Sequence, residues 1–197
     1  MYVDMGNLAA DAVTLDFSVA GTTADQWNVK VSQIPCSSNY RAPNKCVKYY
    51  TGASGTVTSY GFPGNTLLQN QNYESCIRQE AGYCSILWDQ STVTPPADAF
   101  DLTNAAMADQ ATNNVITACG KSFVKIPNAV LGPTSAPITA FCGEVFGVEA
   151  QTVANSFTSS TLPFTLSTFT GAGAANTLTT FDPVANGYSL DYVQQAC

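Results

Sequence analysis

The chain of 197 residues contains no histidine. That removes the side chain most often used as a catalytic base near neutral pH and the commonest metal ligand. Charge is scarce as well: Asp, Glu, Lys and Arg make up 11% of the chain, against the usual quarter. Only seven residues are basic, and Lys30, Arg41, Lys45, Lys48, Arg78, Lys121 and Lys125 form no stripe. With a formal net charge of −7, nucleic acid and anionic membrane surfaces are not expected partners. No apolar run approaches the roughly 18 residues that a bilayer requires, so no membrane insertion is expected. No C-x2-C pair suggests a zinc site, and no Asn-x-Ser/Thr sequon suggests N-glycosylation. No signal peptide is visible, which for a secreted chain implies a mature or trimmed form.

What is present is cysteine, hydroxylated residues and aromatics. Seven cysteines in an acidic chain imply an oxidised, disulfide-stapled extracellular domain, and the odd count leaves one without a partner in the chain. Apolar residues reach 45%, enough to bury a core without a metal. Short alternating runs separated by turn residues read as strands. They include Tyr2–Asp4, Val13–Phe17, Trp27–Val31, Gly55–Tyr60, Tyr83–Trp88, Phe123–Ile126, Phe164–Ser167 and Tyr188–Tyr192. Residues 37–45 read as a Pro/Asn/Ser-rich connector. Many short strands with frequent turns predict an all-β sandwich or barrel. The Ala-rich stretch Asn104–Ala118 fits a short helix and a draped loop equally well, because Asn113-Asn114 offsets its helical composition.

The chain also echoes itself. AVTLDFSVAG followed by QWNVKVSQIPC resembles PFTLSTFTGAG followed by GYSLDYVQQAC. Trp27 to Cys36 and Tyr188 to Cys197 have identical spacing. Short β windows resemble one another by chance, but shared spacing to a closing cysteine favours a true repeat.

From Cys46 onward the order of motifs resembles the CUB domain family. Gly55–Pro63 resembles its G-x-I-x-S-P-x-Y-P segment, Asn72–Ile77 its second cysteine and strand, and Phe100-Asp101-Leu102 its F-D-L. Cys119 with Val124 and Ile126, Phe141-Cys142-Gly143, Phe164–Phe169 and Gly187–Tyr192 resemble the remaining landmarks. The likeness covers residues 46–197. The runs WNVKVSQIPC, RAPNKC and CIRQEAGYC further resemble secreted arthropod CUB proteins, mostly without an assigned activity.

The resemblance implies a jelly-roll-like antiparallel β-sandwich over residues 46–197 with an insertion near 91–118, and a non-enzymatic, extracellular interaction role. Residues 1–36 would be the terminal strands of a partial CUB-like unit. The family pattern implies the pairs Cys46–Cys76 and Cys119–Cys142. Of the remaining three, Cys84 and Cys197 are expected to pair within the sandwich. Cys36, the repeat counterpart of Cys197, is expected to find its partner in an upstream unit. The competing pair Cys36–Cys46 would displace the family bond.

Some CUB domains bind calcium through a C-x-Y-D and an F-x-S-D aspartate. Here these positions read Ser122 and Ala172, and Phe17–Ala20 also lacks the Asp, so no calcium is expected. No catalytic residue and no cofactor is expected. Pairs such as Asp182/Asp191 read as solvated carboxylates. Partners are expected to be other proteins, including copies of the chain joined through residues 1–36, whose apolar Val13, Leu15, Phe17, Trp27, Val29 and Val31 need cover. A carrier of a small apolar ligand and a regulatory module of a secreted protease are the alternative roles. Tyr40, Tyr49 and Tyr50 flank the connector and suit either packing or contacts to a partner.

Overall fold

The computed structural model describes residues 1–6, 14–16, 28–63, 67–92, 99–102, 108–112, 119, 122–148, 153–171 and 186–197. Eleven strands follow in order: β1 (Cys46–Tyr50), β2 (Ser54–Thr58), β3 (Asn72–Ile77), β4 (Tyr83–Gln90), β5 (Phe100–Asp101), β6 (Ala108–Thr112), β7 (Phe123–Ala129), β8 (Ile138–Gly143), β9 (Phe157–Ser159), β10 (Phe164–Phe169) and β11 (Gly187–Ala196). Among the described residues no helix occurs, and none is therefore long and apolar enough to cross a membrane.

The strands form two sheets. One has the order β1-β3-β10-β7-β8-β6 and the other β2-β11-β4-β9, with β5 also pairing with β11. Period-two alternation decides which side chains face inward. In β10, Phe164, Leu166 and Thr168 are buried while Thr165, Ser167 and Phe169 are partly exposed. In β11, Tyr188, Leu190, Tyr192 and Gln194 face inward. The inner faces enclose one core that includes Val57, Ile77, Trp88, Ile126, Phe164 and Leu190. Phe141, Phe146 and Phe157 pack mutually at 4.7–5.1 Å between ring centroids, within the range of favourable tilted and edge contacts.

Three findings differ from the sequence reading. β1 runs parallel to β3, so the sandwich is not wholly antiparallel. Ala108–Thr112 is neither helix nor loop but a strand on the edge of the six-stranded sheet, paired with β8. Pairing outweighs an Ala-rich composition here, since β8 otherwise presents an open edge. Val13, Phe17 and Trp27 of the expected N-terminal strands lie outside the described residues, and among the described residues Met1–Gly6, Thr14–Asp16 and Asn28–Val31 form no ladder with the sandwich. A single backbone bond, Tyr2 N–H to the Val47 carbonyl at 2.7 Å, touches the first of these to β1.

Candidate interaction surfaces

β1, β3, β7, β9 and β11 end at one pole of the sandwich, which carries the turns before β2 and β4 and the C-terminal Cys197. β2, β4, β8 and β10 end at the other.

At the first pole a single amide organises three segments. Gln194 is buried at 3% exposure. Its Oε1 accepts the Glu80 N–H at 2.9 Å, and its Nε2 donates to the carbonyls of Gly52 at 3.0 Å and Arg78 at 2.8 Å. Gly52 N–H and Arg78 in turn bind the Glu80 carboxylate, which holds its pKa below the usual value. β11 is thereby tied to both neighbouring turns.

At the second pole, hydroxyls hold the loops. The Thr170 Oγ1 donates to the Leu68 carbonyl at 2.6 Å and accepts the Gln71 N–H at 2.8 Å. The Ser122 Oγ, buried at 1% exposure, accepts the Gly171 N–H at 3.2 Å. Asn70 N–H reaches the Gly171 carbonyl at 3.1 Å. Gly187, at φ +95°, lies against Ser59 so closely that a Cβ there would stand 2.1 Å from the Ser59 Oγ. That hydroxyl accepts the Tyr188 N–H instead.

Ser122 stands where the calcium pattern has a carboxylate, and its one oxygen already serves the loop. Calcium takes several hard oxygen ligands, and at this position Ser122 offers no carboxylate for it. Ala172 and Phe17–Ala20 lie outside the described residues. Among the described residues, the one convergent set of candidate metal-ligand atoms is Cys46, Glu74 and Cys76. Its two sulfurs are bonded to each other, so neither is a thiolate ligand.

The structure pairs Cys46 with Cys76, Cys84 with Cys197 and Cys119 with Cys142, at Cα separations of 5.6, 5.0 and 5.4 Å. Cys36 is unpaired and exposed. The first bond joins β1 to β3. The second joins β4 to the last residue of the chain, where the Cys197 N–H also reaches the Gly82 carbonyl at 3.1 Å. The third sits on the outer face of the six-stranded sheet in a small cluster with Phe123, Ala140 and Phe169.

Lys48 points inward from β1. Its ammonium donates to the Thr58 carbonyl on β2, in the other sheet, and lies 4.2 Å from the Tyr60 ring centroid and 5.8 Å from that of Tyr73. Burial lowers its pKa to about 8. An inward charge on an edge strand discourages further strand pairing. Tyr50, beside it, packs against the core, and burial raises its pKa to about 12. Tyr49 is partly buried under Tyr2, with ring centroids 6.2 Å apart, whereas Tyr40 is 67% exposed.

On the outer face of the five-stranded sheet, Asp191 lies opposite Asp89 in the β11–β4 register. Each accepts a hydroxyl, Asp191 from Thr56 and Asp89 from Ser156. They line an open cavity of about 350 Å³ with Gln90, Thr92, Ala154, Asn155 and Ser156. Asp182, the other half of the sequence-stated pair, lies outside the described residues. The sequence reading missed Gln194 as a hub. Its signal was a polar residue at an inward position of an otherwise aromatic and aliphatic face.

The family model for the animal CUB domain matches residues 43–195. The chain belongs to the animal CUB domain family. CUB domains of animals generally mediate protein–protein interactions in extracellular proteins and are typically non-catalytic. The chain is similar in structure to the CUB1-EGF-CUB2 region of human MASP-1/3, at 19% identity and a TM-score of 0.42 over 76% of this chain and 42% of that one. It is also similar to the MASP-1 CUB2 domain crystallised with Ca2+, at 18% identity and 0.41, over 75% and 98% of the two chains. The extracellular region of zebrafish Gpr126/Adgrg6 gives 18% and 0.42 over 78% of this chain and 15% of that one. The chain thus spans less than half the length of the first and third of these structures. No curated protein matches it.

Proposed function

We propose that the chain is a non-enzymatic, extracellular CUB module that works by binding other proteins within a larger assembly. The observation that carries this reading is where unpaired contact chemistry lies. Val29, Val31 and Tyr40 stand 52%, 68% and 67% exposed, while the interior is filled by close-packed side chains. Apolar and tyrosine-rich surface of this kind suits protein contacts. The cavity at Asp89 and Asp191 is open and lined largely by polar side chains, which suits an apolar ligand poorly. Three disulfides fit an oxidising, extracellular setting. The scattered basic residues argue against nucleic acid, and the motif runs quoted above favour a secreted arthropod source.

In this reading, residues 1–36 belong to a partial CUB-like unit, 37–45 connect, and 46–197 form the CUB body with its insertion near 91–118. Self-association through residues 1–36 is a second reading, supported by the exposed apolar side chains there, among them Val3, Leu15, Val29 and Val31.

Amine cross-linking of the native protein with mass-spectrometric readout tests the proposal. Cross-links from Lys30 or Lys45 to another polypeptide or a second copy are expected. A monomer with intrachain cross-links alone sinks it, as does ester, peptide or glycoside turnover abolished by one carboxylate substitution.

A further inference from the structure

β11 supplies a template for an exposed segment near the start of the chain. In β11 the alternate residues Tyr188, Leu190, Tyr192 and Gln194 are all buried, between 0 and 3% exposed. The strand lies between β2 and β4, and its last residue, Cys197, is bonded to Cys84 of β4. Counting back the same distances from Cys36 places Gln33, Val31, Val29 and Trp27 at these four inward positions. The match extends beyond apolar character. Gln33 falls at the place of Gln194, whose amide ties β11 to the turns on either side. Yet Val29 and Val31 stand half or more exposed, and Cys36 is unpaired. The segment has the inward face of a central strand, and among the described residues it pairs with no sheet.

Resting on the reading of the chain as an extracellular CUB module, we propose that residues 27–36 are the closing strand of a second CUB-type sheet, contributed by the same polypeptide ahead of residue 1. The strand seats between that unit's counterparts of β2 and β4. Cys36 bonds to a cysteine standing where Cys84 stands, and Gln33 ties the unit's turns as Gln194 does here. A second copy of the described body is not the receiver, because its own β11 already occupies the place between β2 and β4. The connector of residues 37–45 then leads directly from the closing strand of one unit to the first strand of the next.

The test is a non-reducing peptide map of the native protein, joined to hydrogen exchange and to denaturing mass before and after reduction. Cys36 is expected in a disulfide with a peptide from outside residues 1–197, with no loss of mass on reduction. The amides of Val29 and Val31 are expected to exchange as slowly as those of Leu190 and Tyr192. A free Cys36, a bond to Cys46, a bridge to Cys36 of another copy, or fast exchange at Val29 and Val31 overturns the proposal. So does a fall in mass on reduction, which would assign the receiver to a separate chain. A Cys36–Cys36 bridge would leave the assembly reading standing, whereas purely intrachain amine cross-links would remove that reading without bearing on Cys36.

Discussion

Replacing Gln194 by methionine keeps the length of the side chain and removes its donors and acceptor. Three side-chain hydrogen bonds disappear: from the Glu80 N–H, and to the carbonyls of Gly52 and Arg78. Each is worth about 0.5–1.5 kcal/mol net, and a buried group left unpaired costs about 1–3 kcal/mol. Gly52 and Arg78 are only partly buried, so water recovers some of the loss at their carbonyls. The expected destabilisation is about 2–3 kcal/mol, which for a domain of this size lowers Tm by about 5–10 °C. Urea unfolding followed by tryptophan fluorescence measures it, since Trp88 is fully buried beside Tyr192. Gln195→Met is the control. The Gln195 side chain faces outward and accepts a bond from Ser85, so about 0.5 kcal/mol or less is expected. Equal effects at the two positions, or a Gln194→Met loss below about 0.5 kcal/mol, would refute the hub argument.

Two further predictions concern the second pole and Lys48. Calcium titration by calorimetry should show no heat, and Thr170→Val, which unties Leu68 and Gln71, should cost about 1–3 kcal/mol equally with EDTA and with calcium. A stoichiometric micromolar site would sink the reading of Ser122. Lys48, with its folded pKa lowered to about 8, loses its proton in the folded state before the unfolded chain does. Stability should therefore rise with pH from about 8 towards 10, and then fall as the raised Tyr50, near 12, stays protonated while unfolded tyrosine ionises. Lys48→Met should flatten the rise and spare the fall in pH-resolved urea midpoints, and an unchanged rise would refute the assignment.

Strands with two clear faces were readable from residue order. Phe164–Phe169 and Gly187–Ala196 alternate apolar and polar side chains because one face meets the other sheet and one meets water. Ala108–Thr112 has no such alternation, and only its pairing with β8 makes it a strand. The opposite failure occurred at Asn28–Val31, where alternation exists and a ladder does not. Alternation records which face a segment would bury, and it cannot name the sheet that does the burying. The Ser122 position was legible from its spacing to Cys119, but its bond to Gly171, 49 residues away in sequence, was not. The parallel pairing of β1 with β3 was likewise unreadable, since a register across a long connection leaves no local pattern.

The disulfide topology has a mechanical consequence. Suppose the chain is pulled at Cys46 and at Cys197. The load crosses from Cys46 to Cys76, follows the backbone to Cys84, and crosses again to Cys197. That covalent route reaches only about 40 Å when taut, against about 500 Å for the same stretch of chain without cross-links. Most of the sandwich, including the Cys119–Cys142 bond, hangs off this route and bears no tension. A string of such modules would behave under oxidising conditions as a nearly inextensible cord. A reductant acting on the Cys46–Cys76 or the Cys84–Cys197 bond would convert it into one that yields.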